Sequence, residues 1–260
     1  MNYTEILPDI VELAKRVGAF QREHLFKSDL LIDTKSNETD LVTEIDKASD
    51  AMISDYLRAN FPDHNLFTEE SGVSGAQSDY QWVVDPLDGT TNFAQGLPIF
   101  CVSIALKHKG ETVLGVIYQP IMDDLFTAIR GQGSYRNGRK MAVGSKTELH
   151  AAVISTGFPY DQATHPANNY DYFLAMSPRA RAIRRMGAAA YDLALVADGR
   201  FDGHWELNLS PWDIAAGVLM IEEAGGVVIP FREDRNQSII AGNQALCKLI
   251  LEVLREVDGK

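Results

Sequence analysis

The stretch Trp82-Val83-Val84-Asp85-Pro86-Leu87-Asp88-Gly89-Thr90-Thr91-Asn92-Phe93 decides how the rest of the chain is read. Its apolar start predicts a short buried strand that delivers Asp85 at its end, where open sheets commonly place reactive groups. Pro86 stiffens the turn, and Asp88 follows three residues after Asp85. Two carboxylates held close repel each other unless a cation sits between them. Hard cations such as Mg2+ take carboxylate and carbonyl oxygens, which suits this segment and the Leu87 carbonyl. Gly89-Thr90-Thr91 reads as the entry to a short helix, whose free N–H groups bind phosphate. Any one of these aspartates would also fit an ordinary Asp-Gly turn. The stretch as a whole places metal ligands beside a phosphate cradle.

Other acidic segments are ambiguous by themselves. Thr68-Glu69-Glu70-Ser71 precedes a Gly/Ser-rich loop through Ser78 and, taken alone, reads better as a solvated acidic turn. Ser210-Pro211-Trp212-Asp213 and Thr43-Glu44-Ile45-Asp46 both have the form of helix caps. The six histidines form no ligand-spaced pair, which argues against zinc, and His64, His108 and His204 read as turn or strand-end residues. No Gly-x-Ser-x-Gly elbow or Walker lysine loop occurs. An aspartyl-phosphate mechanism would want its two aspartates two apart, not three with a proline between.

The net charge of −12 disfavours nucleic acid and anionic membranes as partners. It would also repel a phosphate ester, so a phosphatase of this composition needs local positive charge, which bound divalent metal supplies. Cys101 and Cys247 are far apart and read as small buried residues, giving a reducing cytoplasm as the expected compartment. No stretch approaches the length of a membrane span.

Apolar spacing predicts helices over 4–26 and from Thr43 to just before Pro62, then strands at 82–84, 100–107, 112–118 and 124–129. Residues 27–40 read as polar and turn-rich. The polar stretch 142–150 is the candidate boundary between an N-terminal α+β half (1–145) and a C-terminal α/β half (146–260). Strands follow at 151–155, 182–185, 226–229 and 238–241, with helices at 187–197, 210–225 and 243–257. The class is α/β or α+β with layered helices and sheets.

At this point the chain resembles the inositol monophosphatase family. Asp85 to Phe93 matches that family's first signature, Trp212-Asp213-Ile214-Ala215-Ala216-Gly217 its second, and Glu69-Glu70-Ser71 the acidic motif between them. Asp40-Leu41-Val42-Thr43 with Asp46, and Lys35-Ser36 upstream, fit the N-terminal motif. The resemblance implies a five-layer αβαβα sandwich, commonly a homodimer, with the site between the halves. It also implies two or three Mg2+ ions per site: one on Glu69, Asp85 and the Leu87 carbonyl, a second shared by Asp85, Asp88 and Asp213, and a weaker third near Glu69. Asp46, Thr90 and Glu69 are the residues it implicates in catalysis. Thr90 and Asp46 would hold the attacking water, and the Gly89-Thr90-Thr91 amides the phosphate. Asp46 and Asp213 can cap helices as well. Lys35 is a possible contribution from the loop.

For the organic part of the substrate, the resemblance implies Asp88 and a C-terminal glutamate, for which Glu206 has the right spacing. Gly187-Ala188-Ala189 matches the family's substrate-facing segment, with the Ala189 N–H available and no hydroxyl at Ala188. The expected substrate is a polyol monophosphate such as myo-inositol monophosphate. Histidinol phosphate comes second, and bisphosphate nucleotides, fructose 1,6-bisphosphate and NADP are further sister activities. The arginines between Arg179 and Arg185 would serve a second phosphate, or a regulatory protein or RNA partner, if they faced one.

Overall fold

The computed structural model describes residues 1–27, 30–35 and 40–259; Ser36 of the N-terminal motif lies outside them. Helix α1 (Tyr3–His24) buries Ile10, Leu13, Ala14 and Val17 along one face and is capped by Asn2, whose side chain accepts the Thr4 N–H. Strands β1 (Ile32–Thr34) and β2 (Leu41–Thr43) pair antiparallel and lead into α2 (Glu44–Asn60). Thr43 and Asp46 form a reciprocal capping box at the start of α2.

Next come β3 (Asn65–Thr68), β4 (Gly72–Gly75), β5 (Tyr80–Asp88) and the short α3 (Thr90–Ala94). β6 (Cys101–His108), β7 (Glu111–Gln119), β8 (Asp124–Ile129), β9 (Gly133–Arg136) and β10 (Arg139–Lys140) follow as a meander. Among the described residues these strands make one sheet in the order β10-β9-β8-β7-β6-β5-β3-β4, antiparallel throughout except for the β3–β5 pair.

A second sheet runs β12-β11-β13-β15-β14. Its strands are β11 (Val153–Thr156), β12 (Ala182–Arg184), β13 (Gly203–Leu209), β14 (Val227–Arg232) and β15 (Gln237–Gly242). Interleaved in sequence are α4 (Tyr170–Met176), α5 (Ala189–Ala197), α6 (Pro211–Glu223) and α7 (Gln244–Asp258).

Burial patterns explain the layering. α1 and α2 bury one apolar stripe each, and Leu13, Val17 and Ile53 pack with Trp82, Ile104 and Val116 on the outer face of the large sheet. α5 buries every residue from Ala190 to Ala197, and α6 is similarly apolar, as helices enclosed on both sides must be. Leu193 and Ala216 share a cluster with Ala105 and Ile117 of the large sheet and Ile239 of the small one. α4 and α7 cover the small sheet's far face through Tyr172, Ile250 and Leu254 around Trp205. The result is the five-layer αβαβα sandwich. A division near residue 145 is a proposal for how the halves are assigned; the shared cluster means that neither half closes its core alone. No helix among the described residues is long and apolar enough to cross a membrane.

The structure departs from the sequence reading in a few places. Residues 27–40 contain β1, an exposed strand that pairs with β2, so no apolar alternation marks it. The loop expected after Ser71 contains β4, paired to β3. Strand β13 and helix α4 were not anticipated. His204 does lie at a strand end, as the second residue of β13, and is fully buried there. Both cysteines are free and buried, as expected.

Candidate active site

The sandwich opens into a cleft of about 580 Å³ where the end of β5, the starts of α3, α5 and α6, and strand β13 meet. Lys35, Glu69, Asp85, Leu87, Asp88, Gly89, Thr90, Thr91, Gly187, Ala189, Glu206 and Asp213 all line it. Asp46 is fully buried and lies behind Thr90. Residues from distant parts of the chain are thus brought together, most of them at or beside a terminus of a helix or strand and Glu206 from the middle of β13.

Gly89 makes the sharpest local demand. It joins β5 to α3 with φ +97, and a Cβ there would stand 2.9 Å from the Ile99 carbonyl oxygen. A side chain would collide with backbone that cannot yield. Gly89→Ala is therefore expected to destabilise the fold by about 1–3 kcal/mol, read as a lowered midpoint in urea denaturation. Asn92 ties the same turn across the cleft, donating to the Ile99 and Met186 carbonyls, each at 2.8 Å.

Asp46 uses both its oxygens. Oδ2 accepts the Thr43 N–H at 2.8 Å and the Thr43 hydroxyl at 2.5 Å, closing the cap of α2. Oδ1 accepts the Thr90 hydroxyl at 2.7 Å, while the Leu87 carbonyl lies farther from that hydroxyl, at 3.2 Å. Asp46 therefore meets the cleft through Thr90 rather than directly. Asp213 likewise caps α6, accepting the Ser210 N–H at 2.7 Å.

Asp88 caps a helix from outside it. Its carboxylate accepts the N–H groups of Ala189 at 3.0 Å, Ala190 at 2.8 Å and Tyr191 at 3.3 Å. Ala188 occupies the N-cap of α5 and has no hydroxyl to do this. The Cys101 thiol adds a weak donor at 3.4 Å. Burial nevertheless pushes the Asp88 carboxyl up to about 7 against these donors.

The same pressure acts on its neighbours. Burial raises Asp85 well above the usual carboxylate range, and Glu69, Asp88 and Asp213 raise it further. Asp213 is raised by burial, then by Glu69, and further by Asp88 and Glu206. A described cation that faces this charge is Lys35, whose ammonium lies 2.8 Å from Glu69 Oε1 and 2.5 Å from Glu70 Oε1. Burial opposes the Lys35 charge, but the two glutamates outweigh it and hold it protonated.

Among the described residues, no three His, Cys, Asp or Glu side chains enclose a metal position by themselves. The partners just described account for this: Glu69 is engaged by Lys35, Asp88 by α5 and Asp213 by Ser210. In chemistry the donor set fits a hard divalent cation, since it is all oxygen, buried and short of positive charge.

Glu70, beside this set, gives a pH prediction. Burial pushes its carboxyl up to about 7, against the pull of Lys35. A folded-state pKa above the unfolded one means that stability present below the ordinary carboxylate range is lost as pH rises through about 7. With chelator present, the melting temperature should fall between about pH 5 and pH 8. Glu70→Gln should flatten that slope, and an unchanged slope would count against the assignment.

Some cleft residues went unread in the sequence. Asp192 lines the cleft, buried, with Oδ1 lacking a hydrogen-bond partner. Its signal was a lone acid in an otherwise apolar helix. Arg185 alone of the arginines between 179 and 185 lines the cleft, while Arg179 pairs with Glu256.

A family model for inositol monophosphatases matches residues 2–258. The chain belongs to the inositol monophosphatase family. Among curated relatives, the Nus factor SuhB of Escherichia coli (strain K12) is 40% identical over 251 residues, covering 95% of this chain and 94% of that protein. The extragenic suppressor protein suhB from Bartonella henselae superposes with a TM-score of 0.89 at 38% identity, covering 97% of this chain and 99% of that one. The inositol monophosphatase from Anabaena (Nostoc) sp. PCC 7120 gives a TM-score of 0.87 at 38% identity, covering 98% and 97%. Family membership is consistent with Mg2+-dependent phosphatase chemistry on the inositol monophosphatase fold.

Proposed function

We propose that this family member hydrolyses a small polyol phosphate monoester, with myo-inositol monophosphate the leading substrate, in a Mg2+-dependent reaction. The observation that carries the reading is the mutual charge pressure among Glu69, Asp85, Asp88 and Asp213 in one cleft beside the Gly89 turn. Glu69, Asp85, the Leu87 carbonyl, Asp88 and Asp213 would hold two or three Mg2+ ions. Bound Mg2+ supplies charge stabilisation at the phosphate and lowers the pKa of water.

The chain's own residues set the geometry around that charge. Thr90 has one hydroxyl proton, which the shorter bond commits to Asp46. Its oxygen lone pairs are left to accept from a water, which orients that water's own lone pairs towards phosphorus. The Gly89, Thr90 and Thr91 amides face the phosphate oxygens in this reading, and Glu206 meets the polyol, whereas the Ala189 N–H expected to join it is taken by Asp88 at 3.0 Å. Turnover of inositol 1-phosphate, histidinol phosphate and fructose 1,6-bisphosphate should be measured with Mg2+ and with chelator. Preference for the first, lost on chelation, is the expected result. Equal rates in chelator would refute metal dependence, and preference for another ester would refute the substrate.

A second reading, a regulatory partner-binding role on the same fold, is favoured by relatives named Nus factor. That name leaves the charge-based argument against nucleic acid without support. Arg181, Arg184 and Arg185 are exposed around β12 and offer such a partner a basic edge. Co-purification lost when these three are changed to Glu would establish it.

A further inference from the structure

One buried side chain next to the cleft has no part in the chemistry above. His204 is fully buried in β13, two residues before Glu206, so both side chains lie on one face of the strand. Ser155 Oγ and His204 Nδ1 are 2.8 Å apart. On the other side of the ring, Nε2 stands 3.3 Å from Glu206 Oε2. That contact is off the line of a hydrogen bond, and Nε2 has no other partner.

Glu206 is confined from its second oxygen as well. A Cβ on Gly157 would stand 1.8 Å from Glu206 Oε1, so the carboxylate occupies the space that a side chain at 157 would need. One oxygen rests against the Gly157 backbone and the other against imidazole. The carboxylate also adds to the negative field at Asp192, Asp88 and Asp213, each of which it raises. A donor facing a carboxylate among other acids offsets part of that repulsion.

The tautomer follows from this field. If Ser155 donates to Nδ1, the ring proton sits on Nε2 and points its positive end at Glu206 Oε2. The opposite arrangement would set a nitrogen lone pair against a carboxylate. We propose that His204 is a positioning residue: with Ser155 behind it and Gly157 opposite, it fixes the Glu206 carboxylate as an acceptor for a substrate hydroxyl and so decides which polyol phosphates are taken. The inference rests on the reading of Glu206 as the group that meets the polyol. His204 touches neither phosphate nor metal donors, so its effect falls on selection of the alcohol and not on the hydrolytic step.

The test compares inositol 1-phosphate with p-nitrophenyl phosphate, an ester without a free hydroxyl, in the wild type, His204→Phe, His204→Gln and Gly157→Ala. Loss of a close N–H contact to a carboxylate corresponds to about a tenfold change in affinity. His204→Phe should therefore raise KM for inositol 1-phosphate about tenfold at little-changed kcat, while p-nitrophenyl phosphate kinetics stay as in the wild type. Glutamine places an N–H near the lost Nε2 position, so His204→Gln should return KM to within about threefold. Gly157→Ala, which displaces the carboxylate without touching the histidine, should reproduce the split between the two esters.

Unchanged KM for inositol 1-phosphate in His204→Phe, or equal losses on both esters without rescue by glutamine, would overturn the proposal. Should His204→Phe fail to fold, the other two variants decide: wild-type KM in both would overturn it, and the split in Gly157→Ala alone would support it. Glu206→Gln separates the underlying reading. If that variant treats both esters as the wild type does, Glu206 does not meet the polyol and the inference falls with it.

Discussion

Asp85→Asn is expected to lower kcat/KM about a thousandfold, corresponding to several kcal/mol of lost charge stabilisation at the phosphate, and at the same time to make the metal-free protein more stable. The two effects have one cause. Asp85 ends β5 inside the protein, where burial and the charges of Glu69, Asp88 and Asp213 all work against its ionisation. Its folded-state pKa lies above the unfolded one, so its contribution to stability is lost as pH rises past the ordinary carboxylate range. A neutral amide of the same shape removes that liability and can donate to the neighbouring acids. In chelator at about pH 8, the variant should melt above the wild type. With Mg2+ the wild type should gain stability by binding and the variant should gain less. Calorimetry with and without metal, beside steady-state kinetics, tests both halves. A variant that melts lower in chelator, or that keeps wild-type turnover, would remove the electrostatic argument for the site.

Thr90→Val should lower kcat about a hundredfold or more with little change in KM, the size expected when a group that orients the reacting water is lost. Valine keeps the shape of threonine and removes the hydroxyl that donates to Asp46. Thr90→Ser, which keeps that hydroxyl, should stay within about tenfold of the wild type. Asp46→Asn should lose activity by the same route. It should also lose about 1 kcal/mol of stability, because the carboxylate closes the cap at Thr43. If the two residues act as one unit, the double variant is no slower than Thr90→Val alone. Additive losses in kcat would mean that Asp46 acts on catalysis separately from Thr90.

Local patterns made much of the architecture legible. The apolar spacing of Ile10, Leu13, Ala14 and Val17 marks α1 because a helix packed on one side shows its period. The caps at Thr43 and Ser210 mark their helices because a capping box is written in adjacent residues. Strand β1 and its partner β2 left no such trace. Their ladder uses backbone groups, and β1 buries no side chain that would impose alternation. Motif order likewise made the candidate cleft residues readable, from Lys35 through Asp213.

What the amino-acid order determined by itself is the set of elements with one buried face, the caps, and the chemical kind of the cleft: acids beside a glycine turn. Only the tertiary structure decided who faces whom. Asp88 serves as the cap of a helix about a hundred residues later, Lys35 reaches Glu69 and Glu70, and a buried His204 stands behind Glu206. The physical reason is range. Periodicity and capping act within a few residues, whereas charge and close packing act between whatever side chains the folded backbone sets side by side.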